Sequence, residues 1–139
     1  MNEERILSID YGKKRVGIAI SDPLNMFAIP LVTIDNNDKF WENFLALFTE
    51  YQIKEVLLGY PLLSSGDKSS STLMVEEFLE ELKNKINQNI ILRDERYTSS
   101  IAQERIISSV TSKKKRRNKG LIDRNAAAVI LEEYLGETT

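Results

Sequence analysis

Four carboxylates stand out because each follows or opens an apolar stretch. Asp10 ends the stretch that begins at Ile6, Asp94 and Glu95 follow Ile90–Leu92, and Asp123 sits at the start of the helical pattern Leu121–Leu135. Acids gathered from distant segments repel one another and are costly to bury unpaired, so such a cluster is tolerable chiefly with a cation between its members. Oxygen-only ligands select hard ions, Mg²⁺ or Mn²⁺. A pair of such ions about 3.5–4 Å apart positions a water and stabilises the leaving oxygen of a phosphodiester. Composition narrows the rivals. The 139 residues contain no His and no Cys. That excludes Ser-His-Asp catalysis, imidazole proton shuttling, most zinc sites, thiolate chemistry and disulfides. Taken singly, the acids also have ordinary readings: Asp10 as a turn former, Asp123 as a helix cap, Glu95 in an exposed ion pair with Arg93 or Arg96. Their joint placement is what points to a site.

The acids can meet only if the intervening elements bring them together. Ile6–Asp10, Arg15–Ser21 and Ala28–Ile34 read as three strands. The short Tyr11–Lys14 turn and the Ser21–Phe27 loop, with Asp22-Pro23 and Asn25, join them into an antiparallel meander. Phe40, Trp41, Phe44, Leu45, Phe48 and Tyr51 recur at helical spacing, which predicts a helix over 38–51 with Asn37 or Asp38 as its N-cap. Glu55–Gly59 reads as a buried strand. A helix capped within Ser69–Thr72 follows, with Val75, Phe78, Leu79, Leu82 and Ile86 on one face, and then a strand at Ile90–Leu92. Ser100–Gln103 fits a capping box that opens a helix to about Val110, and Leu121–Leu135 is the last helix. The order predicts one α/β domain over residues 1–139, with a mixed five-stranded sheet. An antiparallel meander is followed in it by two parallel strands, with helices on both faces. Asp10, Asp94 and Glu95 then lie at the carboxyl ends of strands, where open α/β sheets bind ligands.

Charge adds a second clue. Residues 35–89 carry ten acids and five bases, net −5, whereas residues 93–124 carry ten bases and four acids, net +6. Lys113, Lys114, Lys115, Arg116, Arg117 and Lys119 place six cations in seven residues. Such a run suits a polyanion, each phosphate contact adding about one unit to the salt slope of binding. Lys13, Lys14 and Arg15 could touch the same backbone. No apolar run reaches the ~18–20 residues of a membrane span, and the charged Met1–Arg5 has no signal-peptide core behind it. A cytoplasmic protein without membrane association is expected, monomeric or weakly dimeric.

Ile9–Ala19, with Ser21-Asp22, resembles the opening motif of the YqgF family of pre-16S ribosomal RNA nucleases, also known as Holliday junction resolvase-like proteins. Asp94–Ser99 is similar to the family's second motif and Asp123–Ala127, with Ile130-Leu131, to its third, and the basic run before it is typical. The resemblance spans nearly the whole chain. It implies a ribonuclease H-like fold, with Asp10, Glu95 and Asp123 as metal-binding catalytic acids and Asp94 a less certain neighbour. It also implies a divalent-metal-dependent endonuclease acting on structured RNA at the 5′ end of a 16S precursor. Lys13, Arg15, Arg96 and the 113–119 run would hold the backbone. Branched DNA is the alternative substrate, and a non-catalytic nucleic-acid-binding module is a further alternative. One position departs from the pattern: Gly59, Pro61 and Gly66 are kept, but Leu63 stands where the family has Asn.

Overall fold

The computed structural model describes residues 3–95 and 119–137. Five strands, β1 (Arg5–Tyr11), β2 (Arg15–Ser21), β3 (Ala28–Asp35), β4 (Ile53–Tyr60) and β5 (Asn89–Asp94), form one mixed sheet in the order β3-β2-β1-β4-β5. The first three are antiparallel neighbours, while β4 runs parallel to both β1 and β5. The helices are α1 (Phe40–Glu50), α2 (Ser70–Lys85) and α3 (Lys119–Glu137). The expected mixed α/β architecture is present. The helix expected over 100–110 lies outside the described residues.

Because successive strand residues point to opposite faces, the sheet presents two unlike surfaces. Leu7, Ile9, Val16, Ile18, Ile20, Val56 and Leu58 pack with Phe40, Phe44, Val75, Phe78 and Leu82 of α1 and α2. Tyr11, Phe40, Trp41 and Phe78 add ring contacts, including the Tyr11–Phe78 stack at 4.2 Å. The opposite face carries small residues. Ser8 pairs with Ala19, and Asp10 pairs with Gly17. The Ala-rich face of α3 lies on this surface through Ala127, Ala128, Ile130 and Leu131. Small residues on both sides let helix and sheet approach closely, and α3 is thereby drawn across the acid-bearing face.

The caps differ in part from expectation. Lys39 occupies the N-cap position of the first helix, with no side-chain cap. Asn37 Oδ1 instead accepts from the Lys39 N–H at 2.9 Å, one residue before the helix. For α2, Ser69 and Thr72 form a reciprocal capping box, which satisfies two orphan donors. Among the described residues, no helix is long and apolar enough to cross a membrane.

Candidate active site

Asp10 is the penultimate residue of β1, and Glu95 follows directly after β5. The strand alternation turns Asp10 to the α3 face. The Glu95 N–H donates to the Tyr60 carbonyl at 3.3 Å, which extends the β4–β5 ladder by one residue and fixes the backbone that carries its carboxyl. The Asp10 and Glu95 side chains hydrogen-bond to each other. Burial pushes Asp10 up to about 6; the bond from Glu95 lowers it, and the charge of Asp123 raises it. Glu95 is pushed up to about 11, first by burial and then by the Asp10 charge and hydrogen bond. The arrangement is one shared proton, with Glu95 the donor and Asp10 the accepting carboxylate, and the two titrate as a unit.

Gly59 makes room for this contact. A Cβ there would stand 2.7 Å from the Glu95 carboxyl carbon and Oε2, and 2.9 Å from the Ile130 Cδ1. Both neighbours are ends of side chains, so the fold can yield while the carboxyl is displaced. Gly59→Ala is therefore expected to lower any Glu95-dependent cleavage by about 100-fold, the scale of a 1 Å misplacement. Its stability cost should be no more than about 1–2 kcal/mol. Single-turnover rates beside urea melts check both halves.

Asp123 enters from α3. Its carboxylate Oδ2 accepts from Arg15 Nε at 3.2 Å, and its charge is felt at Asp10. Helix position depends on Gly17, where a Cβ would fall 2.1 Å from the Asp123 carbonyl oxygen and 2.7 Å from the Arg124 nitrogen. The start of α3 is also tied to β3. Arg124 Nε donates to Thr33 Oγ1 and to the Gly120 carbonyl, both at 3.2 Å, and the Thr33 hydroxyl donates to the same carbonyl at 2.6 Å.

The three acids therefore reach one face, but in two parts: Asp10 with Glu95, and Asp123 with Arg15. Among the described residues, no group of three carboxylates is set closely enough to enclose an ion. Asp94 is exposed and pairs in register with Tyr60, which packs against the α1/α2 core. It thus belongs to the other face of the sheet. Lys13 is exposed in the β1–β2 turn, and Arg15 is half-buried on Asp123. Lys119 begins α3, whereas Arg96 and Lys113, Lys114, Lys115, Arg116 and Arg117 lie outside the described residues. Leu63 is half-exposed in the loop after β4, closed by the Leu62–Lys68 bridge and turned at Gly66 with φ 93°. Gly17 and Gly59 were not among the expected site residues, although both fall within the motifs that carry the family resemblance. Apart from the resemblance, their sequence signal is that each is a glycine inside an apolar strand, where a close approach is one of few uses for it.

This fold is that of the Holliday junction resolvases. It is similar to the Fowlpox virus resolvase in complex with Holliday junction DNA, at TM-score 0.56 and 15% identity over 96% of this chain and 98% of that one. It is also similar to RuvC of T. thermophilus, at TM-score 0.53 and 12% identity, over 97% and 95% of the two chains. Within that class the chain belongs to the RuvX family, described as Holliday junction resolvase, whose sequence profile matches residues 4–137. Curated relatives carry the name "Putative pre-16S rRNA nuclease". One from Sulfurihydrogenibium sp. is 40% identical, covering 94% of this chain and 89% of the relative. Another from Salinibacter ruber is 38% identical over 99% and 96%. The family is thus one of nucleases, a class of hydrolases.

Proposed function

We propose that this chain is a divalent-metal-dependent endonuclease that cleaves structured RNA, processing the 5′ end of a 16S rRNA precursor in the cytoplasm. The observation that carries the reading is the Asp10–Glu95 pair: two half-buried acids, at the ends of strands, whose carboxyl groups hydrogen-bond to each other. A proton held between two carboxyls relieves the same repulsion that a hard cation would relieve, and the donor set contains only oxygen. Mg²⁺ or Mn²⁺ therefore fits, with Asp10 and Glu95 as its holders and Asp123 brought in from α3. When bound, it would supply an activated water and offset charge building on the phosphate. Ionised Asp10 would anchor the ion, Glu95 would bind it as the carboxylate, and α3 limits solvent access from one side. Lys13, Arg15, Arg96 and the basic run Lys113–Lys119 would grip the RNA backbone.

The RNA substrate is supported by the names of relatives at 38–40% identity. The family description favours a second reading, a four-way DNA junction as substrate. Incubating the protein with Mn²⁺ or Mg²⁺ and either precursor RNA or a DNA four-way junction separates them. The RNA reading expects faster cleavage of the RNA and none after chelation. Faster junction cleavage would transfer the assignment to DNA. Changing Lys113, Lys114, Lys115, Arg116 and Arg117 to Ala should reduce the slope of log K against log salt by about 0.7–0.9 for every phosphate that is no longer neutralised. A binding titration at several salt concentrations reads this directly.

A further inference from the structure

Arg15 is the first residue of β2 and lies two residues before Gly17, which pairs with Asp10. By strand alternation its side chain shares the face on which the acids gather. It holds Asp123 through one nitrogen, Nε to Oδ2 at 3.2 Å, with the two side chains 32% and 24% exposed. Its positive charge therefore sits beside a carboxylate whose negative charge reaches Asp10. In this state the guanidinium offsets part of the repulsion among the three acids. The contact is also easily exchanged. A single bond between partly solvated groups is weakly held, and a guanidinium has five donors in a fork that matches a phosphate better than one carboxylate oxygen does. Exposed Lys13 and Lys14 stand at the adjoining turn, so a nucleic-acid backbone drawn to them arrives next to Arg15.

We propose that Arg15 is a latch that keeps Asp123 from the metal site until a backbone phosphate takes the guanidinium, so that nucleic acid and divalent ion bind cooperatively. The inference rests on the metal reading given above and adds an order to it. Without nucleic acid, an ion must compete with Arg15 for Asp123 and also approach a fixed positive charge. Once phosphate has drawn Arg15 away, both obstacles fall together. By linkage, the factor by which RNA tightens the ion equals the factor by which the ion tightens RNA. Arg15 is thus a positioning residue for Asp123 and a phosphate ligand in turn.

Calorimetric titration of Mn²⁺ into the whole protein tests this, with and without a short phosphorothioate RNA duplex. Arg15→Gln is expected to bind Mn²⁺ about three- to tenfold more tightly than wild type in the absence of RNA. The RNA should tighten Mn²⁺ by a similar factor in wild type and leave Arg15→Gln unchanged. Arg15→Lys, which keeps the charge and stays usable if the Gln variant folds poorly, should fall between them. In an Asp123→Asn background, Arg15→Gln should give no tightening, since the two residues act through one contact. If Mn²⁺ binds wild type and Asp10→Asn abolishes that binding, yet Arg15→Gln binds no more tightly, the latch is refuted and the metal reading stands. If neither wild type nor Arg15→Gln binds Mn²⁺, both fall.

Discussion

Asp10→Asn is expected to make the metal-free protein more stable while removing its cleavage activity. The carboxylate is half-buried beside Glu95 and near Asp123, and its pKa of about 6 in the fold compares with about 4 in an unfolded chain. Keeping it ionised at neutral pH therefore works against folding, by about 1–3 kcal/mol. Asn keeps the shape and can still accept a bond from Glu95 without the charge. Cleavage should fall by at least about a thousandfold if, as proposed, the lost group is the one that would anchor an ion worth several kcal/mol to the transition state.

The pH dependence has a definite sign. Both folded values are raised, so between the unfolded and folded pKa the native state holds more protons than the unfolded one. Stability from the pair is then fully present below about pH 4 and is lost as pH rises through the folded values, about 6 for Asp10 and about 11 for Glu95. Melts of the metal-free wild type should show this decline, and Asp10→Asn should flatten its part near pH 6. Mn²⁺ should oppose the decline more strongly at higher pH, since binding displaces the shared proton. An Asn variant no more stable than wild type, or one that cleaves at the wild-type rate, would contradict the account.

Gly17→Ala is expected to damage stability and activity together. Its new methyl would meet the Asp123 carbonyl oxygen and carbon, at 2.1 and 2.2 Å, and the Arg124 nitrogen at 2.7 Å. All three are backbone atoms of α3, so no side-chain rotation can relieve the clash, and the helix must move as a body. A cost of about 2–4 kcal/mol is expected from overpacking of this kind, together with displacement of Asp123 and a drop of about 100-fold or more in cleavage. Urea unfolding and a cleavage time course on the same preparation measure the two effects. The contrast with Gly59→Ala is diagnostic. There the methyl meets a carboxyl and a methyl group, so activity should suffer much more than stability. Equal stability costs at the two glycines would show that the packing of α3 is softer than the distances imply.

Much of the architecture was legible because period and punctuation are local properties. Strand alternation through Val16, Ile18 and Ile20, helical spacing through Phe40, Phe44 and Phe48, and the Ser69–Thr72 cap each depend on a few neighbouring residues, and all recur in the fold. Where one helical pattern began was less legible. Asn37 had the chemistry of a cap but bonds to Lys39 ahead of the helix, because turn geometry decides which donor an Asx side chain meets.

What the sequence determined by itself was a chemical inventory: acids at the ends of apolar strands, no imidazole, no thiol, a basic run, and an order of elements that sends Asp10, Glu95 and Asp123 toward one edge. Which of those acids touch was decided only by the tertiary structure. Glu95 lies against Asp10 because Gly59 leaves a hollow, and Asp123 arrives because Gly17 lets a helix rest on β2. Asp123 meets Arg15 across 108 positions, a pairing that no local pattern encodes. Contacts of this kind depend on the distance between a helix and a sheet, set by the summed packing of many side chains, so no single stretch of sequence contains them.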